Sequence, residues 1–301
     1  MQASTLLASP AALAAAITTL DVREQTYLAR TKSYPHPPTT VAANNHTQLH
    51  YYRSQDGKKL IVTHCSVSAV PDDDSNDPQT SANTLTALAE QTARTLGCQE
   101  VTFAFGAVAG GRNPYPTQSA AILLSRGYKI HSVEAYMTID LHTWTNPRAT
   151  TPTQTLTVQI ASTPSQLSTK VFEIEAPAFD CTRDEMSAHY DALVSDGFAN
   201  DAWVHAIGYP ESTTSPAVAA ALLIDTRTGL AMMFGLGTIP IARGKGLGAA
   251  MVAWCAGEAR RRGCTVLALT AQDDVEGYYA KLGFAVFDRL TVYKFSTPVA
   301  C

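Results

Sequence analysis

Arg243-Gly244-Lys245-Gly246-Leu247-Gly248 follows an apolar run, Leu230–Leu236, and opens a helix-patterned segment that continues to about Arg262. Strand, glycine-rich turn and helix together aim backbone N–H groups at an anion. The first helical turn leaves its amides without intrahelical partners, and the helix dipole favours negative charge there. Glycines at 244, 246 and 248 let the backbone approach a phosphate without Cβ atoms in the way. Arg243 and Lys245 add positive charge at an end where the dipole alone disfavours it, which implies an anionic ligand. No Gly-Lys-Ser/Thr closes the loop as in a Walker A motif, and the glycine spacing departs from the dinucleotide fingerprint.

Working outward, Pro240 precedes the arginine by three residues, and the helix is followed by a strand, Thr265–Thr270. Then come Tyr278-Tyr279-Ala280-Lys281-Leu282-Gly283-Phe284 and a strand-like tail, Leu290–Phe295. Upstream lie a strand at Leu156–Ile160, helices at Pro164–Phe172 and Arg183–Leu193, and strands at Trp203–Gly208, Ala217–Ile224 and Leu230–Leu236. Arg-x-x-Gly-x-Gly, followed by Tyr-x-Lys-x-Gly-Phe, resembles the acetyl-CoA-dependent GNAT-superfamily N-acyltransferases. The order of strand, two helices, three strands, helix, strand, helix and two strands is that of their fold.

The resemblance implies an α/β (α+β) fold, with a mixed, mostly antiparallel twisted sheet flanked by helices. It implies acetyl-CoA, or another acyl-CoA, as co-substrate and no metal. In this family the fourth and fifth strands splay, and acyl-pantetheine pairs with the exposed edge of the fourth, here Leu236-Gly237-Thr238-Ile239. The diphosphate falls to Arg243, Gly244, Lys245, Gly246, Leu247 and Gly248. Tyr279 becomes the proton donor to the leaving thiolate and a contact of the cofactor. Tyr278 is its alternative, because helical neighbours point about 100° apart. Gln272 stands where many members carry asparagine or serine. Gly235 stands where many carry a glutamate as general base, and no carboxylate occurs between Thr228 and Arg243. Gly235 and Gly237 suit either a bulge with close backbone approach or simply a weak strand. The remaining candidates for the base are Glu173, Glu175, Asp180, Asp184, Glu185 and His205, each with a surface charge or a satisfied histidine as the plain alternative. From Glu173 to Glu211 nine acidic residues face one basic residue, Arg183, which suits a small, cationic amine acceptor.

The first half repeats the pattern weakly. It has strands at Gln48–Arg53 and Leu60–Val67 around Asp56-Gly57, a helix at Asn83–Leu96 ended by Gly97, and a strand at Glu100–Val108. A helix at Gln118–Arg126 and a strand at Ser132–Leu141 follow. Leu96-Gly97-Cys98 resembles Arg262-Gly263-Cys264, and Arg126-Gly127-Tyr128 resembles Leu282-Gly283-Phe284. In place of the glycine loop stand Asp72, Asp73, Asp74 and Asp77, which repel a diphosphate. The arrangement resembles tandem GNAT proteins, the mycothiol synthase-like group among them. It predicts a degenerate copy over 1–147 that lacks the loop, a Thr/Pro linker at 146–153, and a catalytic copy over 148–301.

The 301 residues, 46% of them hydrophobic, suffice for two cores. A net charge of −4 without a basic block argues against nucleic acid. Cys65, Cys98, Cys181, Cys255, Cys264 and Cys301 are scattered, which suggests neither zinc nor a disulfide framework. A reducing, cytoplasmic location is the default. The alanine-rich start has no basic residue before Arg23 and reads as a helix over Ser9–Arg30 rather than a signal peptide, and no run reaches the length of a membrane span. In Gly246–Arg262, Leu247, Met251 and Trp254 form a core-facing stripe, while Arg260, Arg261 and Arg262 complement the dipole or reach the 3′-phosphate of CoA. The expected reaction is direct transfer in a ternary complex by a monomer or homodimer. Its alternatives are a non-catalytic acyl-CoA-binding module, an O-acyltransferase or a malonyl-thioester decarboxylase.

Overall fold

The computed structural model describes residues 13, 39–42, 47–53, 57–67, 78–106, 115–147, 155–195, 202–211 and 213–296. Apart from Leu13, the helix expected over 9–30 lies outside them, as do the aspartates at 72–77, the loop at 110–114 and most of the Thr/Pro linker. The earlier elements are β1 (Thr39–Ala42), β2 (Thr47–Arg53), β3 (Lys59–Val67), α1 (Pro78–Thr95), β4 (Glu100–Gly106), α2 (Tyr115–Ser125) and β5 (Lys129–Asp140). Next come β6 (Leu156–Ile160), α3 (Pro164–Ser168), α4 (Arg183–Ser195), β7 (Trp203–Pro210), β8 (Val218–Asp225) and β9 (Leu230–Thr238). The last are α5 (Leu247–Arg261), β10 (Val266–Gln272), α6 (Asp273–Ala280) and β11 (Ala285–Ser296).

The chain forms two compact units, one on residues 136–287 and one on the described part of 10–135 with 288–296. In the latter, the strands run β1-β2-β3-β4-β11, parallel only at β3–β4. Its core gathers Leu60, Leu85, Val101, Phe103 and Leu123 around Tyr128, whose ring stacks on Phe295 at 4.9 Å. In the former the order is β10-β9-β8-β7-β6, parallel only at β9–β10. All eight residues of β8 are buried, as a central strand covered on both faces requires. Two closing strands were expected, but a single twelve-residue strand is found, because 285–296 contains no glycine or proline to break it.

The two stretches that the sequence aligns share several backbone details. Gly97 (φ +68°) and Gly263 (φ +87°) end α1 and α5 in the left-handed region, where a side chain is disfavoured. Cys98 N–H then donates to Ala93 O, and Cys264 N–H to Ala259 O. Gln99 and Glu100 share Lys58 O as acceptor, just as Thr265 and Val266 share Gly229 O. After α2 and α6, Gly127 and Gly283 have φ of +90° and +91°. Tyr128 N–H donates to Leu123 O, and Phe284 N–H to Tyr279 O. In this last pair of bonds Leu123 occupies the position that Tyr279 has in the other.

Candidate active site

The ladder between β9 and β10 stops at Met233↔Leu269, whereas β9 continues to Thr238 and β10 to Gln272. Residues 234–238 thus keep β8 on one side and have no β10 partner on the other. Within this stretch the β8 register slips: Ala221 faces Phe234 and Ala219 faces Gly237, so one extra residue bulges out of β9. Gly235 has φ +57°, so of the two readings left open the bulge is the one found.

Beyond β9 the chain makes a short 3₁₀ turn, Pro240–Ala242, and enters α5. Gly244 and Gly246 have φ of +76° and +80°, the latter at the N-cap, so glycine is demanded by the backbone at both. Ala250 N–H makes the first intrahelical bond, to Gly246 O, so the amides of 247–249 precede the helical ladder and converge at its positive end. Gly248 answers to space rather than φ: a Cβ there would lie 2.8 Å from Tyr278 Oη and 3.6 Å from Thr238 Oγ1. This cradle fits an anion approached by main-chain donors. Leu247 is buried and turns its side chain to the core, while Lys245 is exposed. Arg243 has a second task, donating to Thr238 O (3.2 Å) and Ala178 O (2.8 Å), which ties the end of β9 to the helical segment above it. The helix-end arginines are engaged elsewhere. Arg260 donates to Leu141 O and Trp144 O, and Arg261 and Arg262 bracket Glu258 at 2.7 and 2.8 Å.

Tyr279 is buried, edge-on to Tyr278 (5.1 Å) and Phe284 (5.8 Å). Burial raises its phenol well above the usual 10, with Tyr278 and Cys255 adding to the shift, so it keeps its proton as a hydrogen-bond donor. Tyr278 is half-buried and carries its hydroxyl to the first turn of α5. Gln272 is the exposed N-cap position of α6.

The base candidates divide sharply. Glu173, Asp180, Asp184 and Glu185 are exposed, and Glu185 caps Thr182. Glu175 and His205 are buried. After α3 the helix continues as a π-helical stretch, Thr169–Glu175, closed by Ala176–Ala178. Ile174 anchors it on Ile207 and Ala219 of the sheet. The i→i+5 repeat brings Lys170 onto Glu175, and both are buried. Glu175 Oε1 would lie 2.9 Å from a Cβ at Gly235, and its Oε2 is 4.0 Å from His189 Nε2. Ala178 and Phe179 lie over Gly237, at 2.9 and 3.3 Å from a Cβ placed there. His205 lies parallel to Trp203 at 5.8 Å, and Trp203 meets Phe234 at 5.8 Å. Burial, then Lys170 and His189, depress the His205 pKa far below 6.5. Burial lowers that of His189 too, against the pull of Glu175.

Lys170 and His189 were not legible as site residues. On an α-helix, residues five apart point about 140° apart, so the 170–175 pairing has no sequence signal until the π-helical repeat is known.

Residues 170–284 match the model of the acetyltransferase (GNAT) family. No curated protein matches the chain in sequence. Among solved structures, a tandem GNAT protein from the clavulanic acid biosynthesis pathway is similar with a TM-score of 0.65 at 16% identity, over 90% of this chain and 86% of that one. A GCN5-related N-acetyltransferase from Kribbella flavida gives 0.61 at 16% identity over 92% and 94% of the two chains. One from Sphaerobacter thermophilus gives 0.60 at 14% over 85% and 82%. At such identities the likeness establishes the fold, and the local evidence is the family match, which spans the bulged strand, the glycine loop and the tyrosine pair. Residues 170–284 are thus a segment of the acetyltransferase (GNAT) family type, and they mark the protein as an acetyltransferase enzyme.

Proposed function

We propose that the protein is an acyl-CoA-dependent N-acyltransferase that moves an acetyl group from acetyl-CoA to a small, cationic amine by direct attack in a ternary complex. The observation carrying this reading is the end of the β9–β10 ladder at Met233↔Leu269, directly before the glycine cradle of α5. A thioester supplies an activated acyl carbon. The amides of 247–249 hold the diphosphate, with Arg243 and Lys245 beside them, and the edge of Leu236–Ile239 pairs with the pantetheine arm. Gln272 lines the far side of the gap, and Tyr279 donates its proton towards the leaving sulfur. In this reading the amine nitrogen bonds to the acyl carbon as the carbon–sulfur bond breaks. The amine proton leaves to a base and the sulfur gains one.

The division of labour belongs to the same proposal: the later copy within 148–301 is catalytic, and the copy within 1–147 does not bind CoA. Leu123 in place of Tyr279 supports it, since the earlier copy has no phenol there. A panel of amines incubated with acetyl-CoA and followed by thiol release tests the activity, and the mass of the product identifies the acceptor. Thiol release no faster than without enzyme across the panel would sink the reading.

A further inference from the structure

The family resemblance puts the general base on the fourth strand, at the position occupied here by Gly235. We propose that Glu175, borne by the π-helical stretch and admitted by the β9 bulge, takes the proton from the acceptor amine. This rests on the acyltransferase reading and adds to it the residue that activates the acceptor.

Three observations carry it. First, Glu175 Oε1 would lie only 2.9 Å from a side chain at 235, so the carboxylate stands over the bulge itself. The bulge begins where β10 leaves β9, at the head of the gap that takes the thioester. Second, the carboxylate is built in rather than adventitious. Its side chain is 4% exposed, Lys170 at 2% exposure holds Oε1, and Oε2 accepts no hydrogen bond among the described residues. A buried carboxylate without counter-charge is not tolerated, and Lys170 supplies it while leaving Oε2 available. Third, the proton has a way out. His189 Nε2 lies 4.0 Å from Oε2, and its side chain is one-third exposed. Desolvation, opposed by Glu175 and reinforced by Lys170, keeps it below the ordinary histidine pKa and so able to accept. Among the described residues, the charged and titratable groups set against Glu175 are Lys170 on its own segment and His189 on α4, with His205 of β7 electrostatically linked to both of these, and β9 meets the carboxylate at Gly235.

The step balances. The acceptor ammonium gives one proton to Glu175, which releases it through His189 to solvent; the neutral amine forms the carbon–nitrogen bond as the carbon–sulfur bond breaks, and the second proton lost from nitrogen offsets the one the departing sulfur takes up. Lys170 is a positioning residue, because it acts only by holding the carboxylate.

The test compares wild type, Glu175→Gln, and the double variant Lys170→Met with Glu175→Gln. The double variant removes both charges and so leaves no buried ammonium uncompensated, which keeps the test alive if Glu175→Gln alone fails to fold. Each is assayed with a strongly basic alkylamine and with a weakly basic amine that is already neutral at pH 7. We expect the variants to bind acetyl-CoA within about twofold of wild type and to lose roughly 10²–10⁴-fold in kcat on the alkylamine. On the neutral amine they should recover most of that loss. For the alkylamine, log(kcat/KM) in the variants should rise by about one per pH unit, tracking the free amine, and more steeply than in wild type. His189→Ala should lose less than either, and added imidazole should restore it. Folded variants that match wild type on the alkylamine, or lose equally on both amines, overturn the assignment. If wild type acylates neither amine, the acyltransferase reading itself fails, a separate outcome.

Discussion

Gly248→Ala separates what the first turn of α5 does for the fold from what it does for a ligand. The position is helical with ordinary φ, so alanine gains up to about 1 kcal/mol in helix propensity. Against this, the new Cβ would sit 2.8 Å from Tyr278 Oη, and the hydroxyl must retreat by roughly half an ångström to reach an ordinary contact. That atom ends a long, half-buried side chain, so the retreat costs little. The two effects nearly cancel, and the apo protein should melt within a few degrees of wild type. The ligand has no such freedom. The methyl group stands beside the amides of 247–249 and 3.6 Å from Thr238 Oγ1, where the proposed reading brings a diphosphate closest. Losing one charged hydrogen bond costs about 1.5–3 kcal/mol, or roughly 10- to 100-fold in Kd. Calorimetric titration with CoA measures this directly. Thermal scans add a check, since ligand at 100 times the wild-type Kd stabilises wild type by about 2.7 kcal/mol and the variant by far less. A folded Gly248→Ala that binds CoA as tightly as wild type would refute the cradle.

Three more outcomes are expected. Tyr279→Phe should lower kcat by about 10²-fold with CoA affinity retained, whereas Tyr278→Phe should act mainly on CoA affinity; rapid kinetics with a parallel titration distinguishes them, and full activity in Tyr279→Phe removes it as donor. Arg260→Ala should lower the melting temperature by freeing the carbonyls of Leu141 and Trp144, yet leave the KM for acetyl-CoA unchanged; a raised KM would restore the 3′-phosphate role. Acidification should destabilise the fold. The folded pKa values of His205 and His189 lie below the unfolded value of 6.5, so the unfolded chain binds more protons as pH falls through that value. The histidine contribution is thus intact above about pH 6.5 and declines below it, by at most about 1.4 kcal/mol per pH unit per group. Melting curves from pH 7.5 to 5.5 should show it, with a shallower fall in His205→Gln, and identical slopes would contradict it.

Legibility in the sequence followed how local the governing physics was. β8 could be read from Ala217–Ile224 because burial on both faces selects apolar residues without alternation. The loop could be read because left-handed φ at 244 and 246 admits little but glycine. The caps at Gly97 and Gly263 could be read for the same reason. What stayed hidden depended on contacts between elements. Nothing local announces that Arg243 reaches Ala178 O, 65 residues away, or that Arg260 reaches Leu141 O. The π-helical stretch is hidden for a related reason: Thr169–Glu175 mixes helix formers with β-branched and aromatic residues, and nothing in that composition distinguishes a five-residue repeat from a four-residue one.

Gly235 joins these two kinds of information. In the sequence it reads as a loss, a strand without its carboxylate. In the fold it is the condition for a carboxylate from another element. A side chain at 235 and the carboxylate of Glu175 compete for one place, with 2.9 Å between the would-be Cβ and Oε1. Two carboxylates so close would repel, and one of them would be driven to hold a proton. The positions are therefore alternatives: a strand-borne acid requires the helix to withdraw, and a helix-borne acid requires glycine on the strand. The positive φ at 235 points the same way, since that conformation is costly for any residue with a Cβ and directs the bulge towards Glu175. A glutamate introduced at 235 should for this reason fail to add a second base and instead expel Glu175 from Lys170, leaving a less stable protein with an unpaired buried ammonium.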